Sequence, residues 1–93
     1  MRKRGSAYWE WADAELHAMQ HSEILPGGAQ IDVQSRLSRT GVIQMFIGVY
    51  ARDGRSVSEQ YFPHRDGERI TEALAWGVRE ATAIASSKYV KWQ

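Results

Sequence analysis

His17 and His21 stand four residues apart, the spacing at which two imidazoles on one face of a helix can hold a single metal ion. Glu10 and Asp13 fall on the same side of the helix predicted there. The intervening Ala18-Met19-Gln20 lacks the glutamate of a His-Glu-x-x-His metalloprotease helix, so no general base is built into the motif. A solvated polar face with local charge pairs accounts for the same residues. His17 and His21 are thus weak metal candidates, and no metal or other cofactor is assigned. His64 is a third imidazole that no local pattern brings near them. The serines have no histidine in a recognisable order, and Gly27-Gly28 opens onto extended chain, where a phosphate cradle would open onto a helix. Nothing forces two carboxylates into one pocket either. The chain reads as a non-enzyme.

The elements that must position these residues follow from periodicity. From Ser6 as N-cap, Tyr8, Trp9, Ala12, Leu16 and Met19 recur at helical spacing, which predicts a first helix ending near Ser22. Pro26-Gly27-Gly28 breaks it. Residues 29–39 alternate, with Ile31, Val33 and Leu37 apolar between Gln30, Asp32, Gln34 and Arg36, and predict a strand. Residues 42–52 form the richest strand, apolar on both sides. Asp53-Gly54 predicts a two-residue type I′ turn into a third strand over 55–62.

That turn sets a register of Tyr50 opposite Val57, Gly48 opposite Glu59, Phe46 opposite Tyr61 and Met45 opposite Phe62. A three-residue Arg39-Thr40-Gly41 loop with left-handed Gly41 sets Leu37 against Ile43, Val33 against Ile47 and Ile31 against Val49. Pro63 closes the third strand, and Asp66-Gly67 turns into a last helix over about 68–89. Its stripe of Ile70, Ala73, Leu74, Gly77, Val78, Ala81, Ile84 and Ala85 is rich in small residues and suits close approach to the odd face of the sheet.

The chain has 93 residues, of which 43% are hydrophobic and 25% charged, matching one small globular domain. We expect a basic arm over residues 1–6 and a single domain over 7–93. Twelve basic against eleven acidic side chains leave a formal charge of +1, which argues against a dedicated nucleic-acid binder. Without cysteine there is no disulfide framework or thiolate metal site. No apolar run approaches the ~20 residues of a membrane span, so a cytoplasmic protein is expected.

The expected fold is α+β: helix, three-stranded antiparallel sheet, helix (αβββα), with both helices on one face of the sheet. This order resembles the double-stranded RNA-binding domain in topology. The resemblance implies phosphate contacts at the start of the last helix, which here reads His64-Arg65-Asp66-Gly67-Glu68-Arg69, acids alternating with bases. It implies further contacts from the first helix and first hairpin loop, falling on Glu10, Asp13, His17 and Arg39-Thr40-Gly41. Of these, Arg39 alone suits a phosphate.

With both helices on the odd face, Phe46, Tyr50, Tyr61 and Val57 remain on the other. Such a ring cluster reads as the seam of a two-fold homodimer or other protein contact. Trp76 falls off its helix stripe between Arg69 and Arg79, a composition enriched in binding hot spots, and marks a second contact. The leading expectation is therefore a small protein-interaction domain that homodimerises through the sheet. The alternative is a nucleic-acid-binding accessory protein using Arg2, Lys3, Arg4, Arg39, Lys88 and Lys91 for phosphates.

Overall fold

The computed structural model describes residues 4–13, 16–63 and 69–86. Helix α1 (Ser6–Trp11) leads into four strands, β1 (Ala18–Ile24), β2 (Gln30–Leu37), β3 (Ile43–Tyr50) and β4 (Ser56–Phe62), and helix α2 (Ile70–Ile84) follows them. The strands form one antiparallel sheet in the order β1-β2-β3-β4. The fold is α+β as expected, but the sheet has four strands where three were predicted.

The extra strand comes from the second half of the predicted first helix. That helix stops at Trp11, and Ala12 already has extended backbone (φ −61°, ψ 134°). Residues 12–22 are good helix formers by composition, yet the Pro26-Gly27-Gly28 loop is a hairpin turn, and a hairpin needs an extended partner for β2 on its N-terminal side. Pairing from Ala18↔Arg36 to Ile24↔Gln30 overrides helix propensity. The αβββα order with which the double-stranded RNA-binding domain was compared is therefore not the order of this chain.

All three hairpins use the same turn. Gly28, Gly41 and Gly54 each close a three-residue loop by donating to the carbonyl three residues back, on Leu25 (2.8 Å), Ser38 (3.0 Å) and Ala51 (2.9 Å). Each glycine takes the left-handed φ that the third loop position demands, at 97°, 84° and 93°. The expected geometry holds at Gly41. At Asp53-Gly54 the two-residue type I′ turn is replaced by this longer one, because Asp53 does not adopt positive φ.

A longer turn alone would slide β4 by one residue. The ladder instead shifts between Tyr50↔Ser56 and Val49↔Ser58, and the extra residue, Val57, restores Gly48↔Glu59, Phe46↔Tyr61 and Met45↔Phe62 as predicted. The predicted partner of Tyr50 is lost in the process: Tyr50 pairs with Ser56, and Val57 packs among the residues around the α2 core.

Helix α2 covers the odd face. Ala73, Gly77, Ala81 and Ala85 are buried over Ile31, Val33, Met45, Ile47 and Val49. A Cβ on Gly77 would lie 2.5 Å from Val33 Cγ1 and 3.0 Å from Met45 Sδ, so the helix backbone sits almost directly on the strands. α1 packs on the opposite face, with Tyr8 and Trp11 against Phe46, and the expectation of both helices on one face is corrected accordingly. Among the described residues, no helix is long and apolar enough to cross a membrane.

Candidate functional site

Period-two alternation places Asp32, Gln34 and Arg36 of β2, Gln44, Phe46, Gly48 and Tyr50 of β3, and Glu59 and Tyr61 of β4 on the face opposite α2. α1 crosses part of this face and divides it into a buried polar cluster, an aromatic stack and an open cleft.

The polar cluster is centred on Asp32, a fully buried carboxylate. It pairs with Arg4 and accepts further hydrogen bonds from Gln20 Nε2 (2.8 Å), Gln34 Nε2 (3.1 Å) and Ser22 Oγ (3.3 Å). Arg4 also donates to Tyr50 Oη at 3.1 Å, and Tyr50 donates in turn to Glu59 Oε2 at 2.7 Å. The Gly5 backbone N–H reaches the same Glu59 oxygen at 3.0 Å. Burial, together with the bond to Glu59, pushes the Tyr50 phenol well above its ordinary range, and Arg4 opposes that only in part. Burial works against the Arg4 charge, but its bonds to Asp32 and Tyr50 outweigh this and raise its pKa. The cluster ties the chain before α1 to three strands.

Beside it, cations and rings alternate. Arg4 lies 4.2 Å over the Tyr8 ring, Tyr8 meets Phe46 edge-on at 5.2 Å, Trp11 lies 5.7 Å from Phe46, and Arg36 sits 3.9 Å over Trp11. Arg36 is only 7% exposed. Its Nε donates to Gln44 Oε1 at 2.9 Å, and burial lowers its pKa, countered in part by the field of Asp13. Beyond Trp11 the face opens into a cleft of about 270 Å³ walled by Tyr8, Trp9, Trp11, Ala12, Asp13, Leu16 and Ala18, with Gln34 and Arg36 from β2.

The sequence-predicted site residues are thereby redistributed. Phe46 is fully buried against Tyr8 and Trp11 of α1, and Tyr50 is fully buried beside Arg4, which precedes α1, and Glu59, so these two rings of the cluster read as a dimer seam are covered by the chain's own N-terminal segment. Tyr61 stays 44% exposed at the margin. Trp76 turns inward, edge-on to Phe62 at 5.6 Å and against the core, while Arg69 and Arg79 are exposed on either side. Arg69 is the N-cap of α2, its backbone N–H bonded to Glu72 at 2.9 Å.

Of the proposed phosphate ligands, Arg4 is consumed by Asp32 and Tyr50, and Arg39 pairs with Asp13 at 3.4 Å. Arg2, Lys3, Lys88 and Lys91 lie outside the described residues, as do His64 and the predicted Asp66-Gly67 turn. His17 precedes β1 and His21 lies on it, paired with Glu23 at 3.0 Å. Four residues of extended chain span ~13 Å, too far for one ion to bridge both imidazoles. Among the described residues no three His, Asp or Glu side chains cluster as metal ligands.

The sequence reading missed two features. One is the Asp32 cluster, signalled by two carboxylates, Asp32 and Glu59, flanking Gly48 on one face and needing a cation. The other is the outer edge of β1. The bond from Leu25 N–H to Ala29 carbonyl fixes which residues face β2, so Ala18, Gln20, Ser22 and Ile24 direct their N–H and C=O groups outward. Among the described residues nothing pairs with that edge. No known family model, characterised protein or solved structure matches the chain.

Proposed function

We propose that this protein is a non-enzymatic interaction module in which two copies join antiparallel along β1 to make one continuous sheet. The contrast between the two sheet edges carries this reading. β4 is blunted by the bulge at Val57 and by Pro63 at its end, the devices that keep an edge from pairing. β1 has neither: its seven-residue register is unbroken, it contains no Pro, Lys or Arg, and it exposes Met19 (42%) and Ile24 (71%).

A two-fold axis perpendicular to the sheet must bring like faces together. Placed at Ser22, the axis sets Glu23 of each copy opposite His21 of the other, and the outward groups of Gln20 and Ile24 bond across the seam. Imidazole faces carboxylate twice across the seam, the hydrogen-bonding pair the two residues already make within one chain, and this self-complementarity favours a second copy over an unrelated strand as the occupant.

The chain has no cysteine, so Ser22→Cys introduces a single thiol about 5.5 Å, Cα to Cα, from its symmetry mate, within disulfide reach. Sedimentation of the full chain should give a dimer that survives raised salt, and mild oxidation of the variant should cross-link it fully. A monomer at high concentration sinks the proposal. Salt-sensitive binding of nucleic acid by such a monomer would return the basic termini to consideration.

A further inference from the structure

Arg36 is a nearly buried charge with no counter-ion among the described residues. It is more than nine-tenths buried, yet it forms no ion pair among the described residues, and its one side-chain hydrogen bond uses Nε. Both terminal Nη amines are left without a hydrogen-bond partner among the described residues. Neither is sealed from solvent, since among the described residues the buried side-chain nitrogens and oxygens lacking a partner are Trp11 Nε1 and Ser35 Oγ. Arg36 borders the aromatic cleft and also a second, more polar hollow of about 300 Å³ lined by Ser38, Arg39, Thr40 and Gln44. Arg36 therefore lies where the two hollows adjoin.

Partial burial strips water from this guanidinium with no carboxylate paired to it, and an acceptor supplied from the cleft would offset that loss. Asp13 borders both hollows but is drawn to Arg39. The remaining lining is the Tyr8, Trp9 and Trp11 rings, the apolar Ala12, Leu16 and Ala18, and the amide of Gln34, with the Trp9 ring 65% exposed. A cleft of about 270 Å³ is near the lower end of small-molecule pockets and suits one or two rings.

We infer that this cleft binds a small aromatic carboxylate, its rings between Trp9 and the α1–β1 wall and its carboxylate on the Nη amines of Arg36. The planar fork of a guanidinium matches two carboxylate oxygens, and its stacking on Trp11 holds that fork in one orientation. With Asp13 drawn to Arg39, Arg36 is left as a single positive charge at the cleft, which suits a monoanionic carboxylate better than a dianionic phosphate.

The test is titration calorimetry of the full chain with 2-naphthoate, the neutral isostere 2-naphthalenemethanol and inorganic phosphate. Naphthoate should bind at least ten-fold tighter than the alcohol. Arg36→Gln should close that gap, Asp13→Asn should widen it, and Trp9→Ala, at an exposed ring, should weaken both aromatic ligands. Equal binding of acid and alcohol, or a gap that persists in Arg36→Gln, overturns the inference; phosphate binding as tightly as naphthoate overturns the assignment to an aromatic acid. Should Arg36→Gln not fold, the wild-type acid-to-alcohol ratio and the Asp13→Asn response decide the matter alone.

Discussion

Arg4 and Asp32 form an ion pair beneath α1, with the aspartate side chain wholly buried and the arginine 18% exposed. The charge of Asp32 is tolerated because four side chains donate to it, and Arg4 is the only cation among them. Removing one partner of such a pair leaves the other buried and unmatched, which costs more than the pair itself contributes. Arg4→Ala should therefore lower unfolding free energy by about 3 kcal/mol in urea titrations. A loss within ~0.5 kcal/mol would mean that Arg4 belongs to a free basic arm after all.

Tyr50 makes the same cluster sensitive to alkali. Its folded pKa lies well above the ordinary 10.0, so above that value the unfolded chain releases the phenolic proton while the folded chain keeps it. Stability is then full below about pH 10 and declines as pH rises further. Tyr50→Phe, which leaves nothing to ionise, should flatten this alkaline decline, while costing about 1–2 kcal/mol at neutral pH through the lost bonds to Arg4 and Glu59. Thermal melts of both proteins between pH 8 and ~11 would show it. Parallel alkaline slopes would rule out Tyr50 as their source.

Much of the sheet was legible because its signals are local. Gly41 fixed one hairpin, and the alternation of Ile31, Val33, Met45, Ile47 and Val49 fixed which face α2 covers. The β3–β4 register was also correct, but for the wrong reason: a turn one residue longer than expected is offset by one extra residue at Val57. What escaped was decided at long range. Residues 12–22 have helical composition, yet from Ala18 onward the chain is an edge strand, because β2 is there to pair with. α1 could not be assigned a face until its shortness was known, and with that assignment went the solvent exposure of Phe46 and Tyr50. Pro26-Gly27-Gly28 carried the missing clue, since it has the same third-position glycine as the other two hairpin loops.

If β1 is the seam, blocking its outward N–H groups should abolish association without unfolding the monomer. The Ser22 N–H points away from β2, so Ser22→Pro removes no ladder bond within the sheet and costs about 1 kcal/mol for the lost contact to Asp32. Ile24→Lys places a charge on the same edge. Both variants should sediment as folded monomers at concentrations where the parent is dimeric. A dimer that persists in both would place the interface elsewhere.

Arg36 should reveal itself as a residue that the fold would be better without. Its guanidinium is buried over Trp11 with one hydrogen bond and no ion pair among the described residues, so its desolvation is poorly offset. A methionine of similar length keeps the contact with Trp11 and removes the charge. Exchanging an undercompensated buried ion for an apolar side chain is commonly neutral or stabilising by ~1–4 kcal/mol. Arg36→Met should accordingly unfold at the same or a higher temperature than the parent while losing affinity for 2-naphthoate, the pattern of a group retained for binding at a cost in stability. If Arg36→Met were clearly less stable, the arginine would be a structural strut on Trp11. Its depth would then need no ligand to explain it.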